Sequence, residues 1–308
     1  MVEVQNLVKS YGSLKALRGV SFSVPRGACF GLLGPNGAGK STTISIIVGA
    51  LRPDAGSVTV GGKTIDQDRA HYRRQIGYVP QDLALYEDLS ASVNLEFFAA
   101  LYDVPPAEAK KRADHVLGLV GLTDRAKSTV NTFSGGMKRR LNIAVAMLHN
   151  PEVIILDEPT VGVDPQSRNA IFETLAELRT QGKTLIYTTH YMEEVERMCD
   201  EIAIIDQGEV KAQGTLEQLL STLPSRYGLT INFESEEKAE HASRVLAQVG
   251  GGTLDGCSIR FAPENLGATL GAAVACLQQN QIAFQDLITK RGSLEEVFLH
   301  QTGRSLRD

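Results

Sequence analysis

The chain has 308 residues, enough for about two domains by the usual size of a domain. Hydrophobic residues make up 43%, ordinary for a globular chain with a sizeable core. Against 36 Asp and Glu stand 31 Lys and Arg, a formal net charge of -5, which argues against nucleic acid as the main partner. No run approaches the roughly 18 apolar residues of a membrane span; the nearest, residues 266–277, is short and ends at Gln278 and Gln279. The N-terminus has no charged segment leading into an apolar one, so no secretory signal is expected. Cys29, Cys199, Cys257 and Cys276 show neither metal-ligand nor redox spacing and are expected to be reduced, buried thiols in a cytoplasmic protein.

Residues 2–8, 20–24 and 28–33 read as strands, the last two joined by the turn Pro25-Arg26-Gly27, with Tyr11 and Gly12 in the loop after the first. A helix is expected over residues 42–48, then turn chemistry at residues 51–57, a strand at 58–60, and a strand at 76–80 that delivers Gln81 at its end. From residue 82 to about 150 the pattern is helical and suggests a separate lobe. Val93, Leu95, Phe97, Phe98 and Leu101 mark one helix, and a second begins at Pro105-Pro106 and closes near Gly121. Phe133-Ser134-Gly135-Gly136-Met137 opens a third helix, in which Lys138, Arg139 and Arg140 read as a solvated first-turn face.

The β-branched run 153–156 is the composition of a central parallel strand and ends in Asp157-Glu158-Pro159. A helix over 165–180, a strand over 184–189 ending at His190, and a strand over 202–205 follow. Strands alternating with helices indicate a parallel sheet covered on both faces. Thr215-Leu216-Glu217-Gln218 fits a capping box, and the expected domain boundary lies where that helix runs out, giving domains of residues 1–222 and 223–308. The remainder reads as a small α+β domain. Strands are expected at Leu229 to Phe233, at Ile259 and Phe261, and at Ile282 and Phe284; helices at Ala242 to Val249, at Leu266 to Leu277, and after Ser293.

The chemistry concentrates in Gly34-Pro35-Asn36-Gly37-Ala38-Gly39-Lys40-Ser41-Thr42, which fits G-x-x-x-x-G-K-[ST] between an expected strand and an expected helix. The glycines allow φ > 0, so that backbone N–H groups turn inward around an anion, and the helix N-terminus adds further donors. Lys40 is suited to the β/γ-phosphates of a nucleoside triphosphate and Ser41 to Mg²⁺. Phosphoryl transfer also needs a metal anchor and a group to orient water. Asp157, at a strand end, is placed for the first, and Glu158 has the side chain of a general base. Gln81 and His190 fall at strand ends too, where open α/β sheets gather functional residues.

The order of these motifs, with Ser134-Gly135-Gly136 between them, is similar to the nucleotide-binding subunit of an ATP-binding cassette (ABC) transporter over about the first 215 residues. The resemblance implies a P-loop NTPase core of α/β class with a mostly parallel sheet, an N-terminal antiparallel β subdomain and a helical lobe. In that family Tyr11 would match the adenine-stacking aromatic, Gly34 to Thr42 the Walker A loop and Gln81 the Q-loop glutamine. Ser134, Gly135, Gly136 and Met137 would match the signature, Asp157 and Glu158 Walker B with its catalytic glutamate, Asp164 the D-loop aspartate and His190 the switch histidine. ATP and Mg²⁺ are the implied ligands, with Ser41, Gln81 and Asp157 toward the metal.

The implied partners are a second copy of the chain packed head to tail and a separate membrane permease at the cytoplasmic face. Phe133 and Met137 depart from the Leu and Gln commonest around the signature, and residues 161–165 depart slightly from the common D-loop. Phe-Ser-Gly-Gly-Met and the tail Gly292 to Leu299 are similar to the drug-resistance and export branch. An alternative, a cassette ATPase acting on ribosomes or DNA, would usually carry two cassettes or a long coiled coil; one cassette, an acidic balance and no heptad run disfavour it. A non-hydrolysing ATP sensor would be expected to lack Glu158 or His190.

Overall fold

The computed structural model describes residues 1–303. The chain divides into two compact units after Thr215. The first opens with β1 (Val2–Tyr11), β2 (Leu14–Val24) and β3 (Cys29–Leu33), followed by α1 (Lys40–Ile47), β4 (Ala55–Val60), α2 (Arg69–Arg74) and β5 (Ile76–Val79). Three helices then follow, α3 (Ala91–Leu101), α4 (Pro106–Leu119) and α5 (Gly135–Met147). The unit closes with β6 (Val153–Asp157), α6 (Pro165–Thr180), β7 (Thr184–Thr189), α7 (Met192–Met198), β8 (Glu201–Asp206) and β9 (Glu209–Gly214).

Two sheets share the work. One is antiparallel, in the order β2-β1-β4; the other runs β5-β6-β7-β3-β8-β9 and is parallel except for the antiparallel β8–β9 pair. The central strands read as unbroken apolar runs because both their faces are covered. Successive side chains of a strand point to opposite faces. Accordingly Ile154 and Leu156 of β6 and Leu185 and Tyr187 of β7 enter a core shared with α3 to α6, whereas Val153, Ile155 and Ile186 enter a second core with α1 and the antiparallel sheet. The parallel arrangement brings the C-terminal ends of β3, β6 and β7 together. Those ends carry Gly34, Asp157–Glu158 and His190.

The basic trio of α5 is not a solvated face. The Arg139 guanidinium is 7% exposed and donates to the carbonyls of Pro80, at 3.1 Å, and Gln81, at 2.7 Å. Arg140 donates to the Val120 carbonyl at 2.5 Å, and Lys138 pairs with Glu87 at 2.7 Å. Arginine stems pack along apolar surface while their fork-shaped heads satisfy carbonyls that loops leave unpaired, so three cations that count as surface by composition instead tie α5 to the loops around it. Likewise Tyr11 ends β1, paired with Leu14, rather than lying in a loop.

The second unit contains α8 (Leu216–Leu220), β10 (Tyr227–Asn232), α9 (Glu236–Leu246), β11 (Thr253–Asp255), β12 (Ser258–Phe261), α10 (Leu266–Gln279), β13 (Asp286–Arg291) and α11 (Leu294–Thr302). Helix α8, opened by the capping box at Thr215, packs with α11 in this unit. The antiparallel order β11-β12-β10-β13 and the βαββαβ succession are those of ferredoxin-like domains. Leu229, Ile231, Ile259 and Phe261 face α9 and α10 across a core of their own.

Ile282 and Phe284 do not form a strand. They are half-buried anchors on that core, and pairing with β10 begins only at Asp286, opposite Asn232. All four cysteines are free; Cys29 and Cys276 are buried and Cys199 half-buried, but Cys257 is exposed beside Gly256, contrary to its expected burial.

Candidate functional site

The loop between β3 and α1 is shaped by its glycines. Gly37 and Gly39 take φ of 80° and 108°, left-handed values that exclude most side chains, and Gly39 is the N-cap of α1. Gly34 is required for space: a Cβ there would lie 2.3 Å from the Ile205 carbonyl oxygen on β8. The loop lines a cleft of about 390 Å³ with Pro35, Asn36, Gly37, Gly39, Lys40, Ser41 and Thr42. Tyr11, half exposed at the end of β1, Gln81 beyond β5, and Glu158 beyond β6 complete the wall together with Leu14 to Ala16, Arg18 and Gln207. Those last residues were not anticipated; they sit on β2 and at the β8–β9 turn, which no local motif marks.

At the floor of the cleft the charged groups converge. Lys40 is 5% exposed, and its ammonium donates to the carbonyls of Gly34, at 2.7 Å, and Pro35, at 3.1 Å, while Glu158 Oε1 lies 3.2 Å away. Glu158 is 6% exposed and holds φ at 47°, an uncommon conformation for a non-glycine residue and one found at functional sites. Its backbone N–H is fixed by Thr188, through the carbonyl at 3.2 Å and the hydroxyl at 3.0 Å. On the other side, Glu158 Oε2 lies 3.4 Å from His190 Nδ1, a nitrogen with no hydrogen-bond partner. One carboxylate thus stands between an ammonium and an imidazole.

Asp157 accepts a hydrogen bond from the Thr188 hydroxyl at 2.6 Å. Burial pushes its carboxyl above the usual carboxylate range, against the hydroxyls of Thr188 and Ser41 and the Lys40 charge; the Glu158 charge adds to the upward push. Thr188 therefore organises both acidic residues, a role not anticipated from a threonine inside a buried strand.

Among the described residues no group of three or more His, Cys, Asp or Glu is arranged to hold a metal by itself. The donor set here is oxygen: the Asp157 carboxylate and Ser41 hydroxyl in contact, with the Gln81 amide on the same cleft. That set fits Mg²⁺, a hard cation that takes one or two protein oxygens and completes its octahedron with phosphate and water.

Ser134, Gly135, Gly136, Met137 and Asp164 do not line this cleft. They form a second group of their own. The Ser134 hydroxyl caps α5 by accepting from the Met137 N–H at 3.2 Å, and Asp164 caps α6 by accepting from the Ser167 N–H at 2.9 Å. Hydrogen bonds from the Ser167 backbone and side chain hold the Asp164 carboxyl below its usual range. A Cβ at Gly136 would fall 2.0 Å from the Ser167 hydroxyl, so only glycine lets the two helix starts lie this close. The Ser134 side is exposed, and at Gly135 a Cβ would meet nothing within 4 Å.

A parallel sheet with a glycine loop leading from β3 into a helix, and acidic residues at the end of β6, separated from β3 by β7, defines a P-loop nucleoside triphosphatase. Residues 17–161 match the ABC transporter family model. The linearmycin resistance ATP-binding protein LnrL of Bacillus subtilis is 46% identical over the whole of both chains. The daunorubicin resistance ATP-binding protein DrrA3 of Streptomyces coeruleorubidus is 37% identical over 99% of this chain and 97% of its own. The Nod factor export ATP-binding protein I of Ralstonia nicotianae is 39% identical over all of this chain and 95% of its own. Among solved structures, an ATP-binding subunit of an ABC transporter superposes with a TM-score of 0.66 at 36% identity, over 72% of this chain and 92% of that one. A dimeric ATP-binding cassette in a post-hydrolysis state with ADP and Pi superposes with a TM-score of 0.64 at 31% identity, over 70% and 99%.

The chain belongs to the ATP-binding proteins of ABC transporters. It is an ATPase subunit of that family, akin to those of resistance and export systems.

Proposed function

We propose that this chain powers export of a drug, lipid or other small molecule through a separately encoded membrane permease, acting as a head-to-tail dimer at the cytoplasmic face. The carrying observation is Glu158 in the cleft wall, 3.2 Å from Lys40 and 3.4 Å from His190, with Asp157 beside it on the shared Thr188 hydroxyl. In this reading the P-loop amides and Lys40 bind the β/γ-phosphates, and Tyr11 stacks on the adenine. Ser41, Asp157 and Gln81 would hold Mg²⁺, which when bound neutralises charge on the phosphates. Glu158 takes the proton of the attacking water, and His190 orients that glutamate and the γ-phosphate.

The Ser134 group supports the dimer. It is an exposed helix N-terminus with glycine N–H groups, suited to an anion, yet it lines no part of its own chain's cleft. A second copy would bring it, with Gly135, Gly136, Met137 and Asp164, over the γ-phosphate held by the first. No helix of the described residues is long and apolar enough to cross a membrane; in this reading the membrane path is the permease's. The names of the relatives, two resistance proteins and an export protein, support the direction of transport.

The test is Glu158→Gln. Hydrolysis is expected to fall about 10²–10⁴-fold with ATP binding retained and a dimer trapped by ATP. A variant that hydrolyses ATP at the parent rate refutes the role given to Glu158.

A further inference from the structure

Glu194 lies in α7, four residues past His190, and is 3% exposed. A carboxylate removed from water this far is kept only where donors replace its hydration. Three hydroxyls do so. Oε1 accepts from Thr160 Oγ1 at 2.7 Å, and Oε2 accepts from the Tyr187 hydroxyl and from Thr189 Oγ1, each at 2.9 Å. The Arg168 Nε on α6 lies 3.7 Å from Oε1. Burial, reinforced by the Glu194 charge, pushes the Tyr187 phenol well above its ordinary value, so it remains a donor.

What these donors belong to is the point. Thr189 and Tyr191 flank His190 in the chain. Thr189 Oγ1 also accepts the Tyr191 N–H at 3.0 Å, so one hydroxyl links Glu194 to the backbone on the far side of the histidine. The Tyr191 ring packs on the His190 ring with centroids 4.2 Å apart, and Arg168 stands 5.6 Å over that same tyrosine ring. Thr160 sits two residues beyond Glu158, in the turn that holds Glu158 at positive φ. Both members of the Glu158–His190 pair are thus tethered to one buried carboxylate that touches neither.

We propose that Glu194 is a positioning residue that sets the placement of His190 against Glu158, through Thr189 on one side and Thr160 on the other. The proposal rests on the reading in which Glu158 and His190 carry hydrolysis. A tightly packed core supplies general stability, but a charged hub with three side-chain donors supplies directional restraint. Small displacements of reacting groups cost large factors in rate.

The experiment measures steady-state ATP hydrolysis and, separately, binding of a fluorescent ATP analogue for the full chain. Glu194→Gln and Thr189→Val are each made alone and with His190→Ala. Thr189→Val removes one donor while keeping the side-chain shape, which preserves the test if Glu194→Gln folds poorly. The expected result is a fall in kcat of about 10- to 100-fold in the parent background. KM and analogue affinity should change by less than about two-fold, and Thr189→Ser should recover most of the loss.

In the His190→Ala background the further loss should be under about two-fold, because residues acting as a unit are not additive. Equal losses in both backgrounds, or a raised KM with kcat intact, overturn the positioning role and leave the catalytic reading standing. A His190→Ala chain that hydrolyses ATP like the parent overturns both.

Discussion

Arg139→Met tests whether the helix that carries Ser134 is coupled to Gln81 by a buried cation. The guanidinium donates to two carbonyls, Pro80 and Gln81, from a site 7% exposed to solvent, and burial lowers its pKa from the ordinary arginine value. Methionine keeps the unbranched stem and deletes both bonds. Hydrogen bonds from a charged group contribute about 1.5–3 kcal/mol each. Relief of the buried charge offsets part of that loss, leaving about 2–4 kcal/mol net. In a unit of this size each kcal/mol moves the midpoint by about 2–4 °C, so the first thermal transition should fall by about 5–15 °C.

The assay is thermal unfolding followed by circular dichroism, with ATP hydrolysis measured well below the transition. Hydrolysis should also fall, because Gln81 loses the group that fixes its backbone. Lys138→Met is the control: its pair with Glu87 is at the surface, worth less than about 1 kcal/mol. A midpoint for Arg139→Met within about 2 °C of the parent would refute the coupling.

Gly34→Ala should abolish ATP binding and lower stability by at least about 1–3 kcal/mol, since its Cβ would press on the Ile205 backbone carbonyl at 2.3 Å; unchanged nucleotide affinity by calorimetry would contradict that. His149 is held neutral by burial, its pKa pushed down to about 4 from 6.5. A lowered histidine pKa means stability that is full above pH 6.5 and lost as pH falls toward 4, about 3 kcal/mol in all. Urea unfolding should show that slope, and His149→Phe, which keeps the stack on Tyr102, should remove it; an identical slope in both chains counts against the assignment. Mixing a Ser134→Arg chain with a Lys40→Ala chain should restore some hydrolysis, because one site of the mixed dimer then carries both defects and the other neither; inactivity at every ratio would argue against the composite site.

The phosphate-loop and acidic residues of the site are legible because each carries a local constraint, whereas Leu14 to Ala16, Arg18 and Gln207 of the same cleft carry none. Glycines at Gly37 and Gly39 are needed for positive φ, and the apolar runs ending in Asp157 and His190 identify strands whose ends converge. The α/β class and parallel core followed from strand–helix alternation. Strands β9 and β11 carry no apolar pattern because edge strands need no apolar face, and β13 lies beyond Ile282 and Phe284 because those side chains serve the core without joining the sheet.

By itself the sequence carried the phosphate-loop pattern, the acidic strand end and the family. The physical reason is that those functions need particular residue types at fixed spacings along the chain. Tertiary structure decided what long-range pairing alone can decide. It placed Thr188 under both Asp157 and Glu158, and put the guanidiniums of Arg139 and Arg140 on backbone carbonyls far along the chain rather than in water. It also gathered Thr160, Tyr187 and Thr189 onto the carboxylate of Glu194. A hydroxyl or a guanidinium carries no mark of its partner. Only the fold brings the partner within 3 Å and excludes the water that would otherwise take its place.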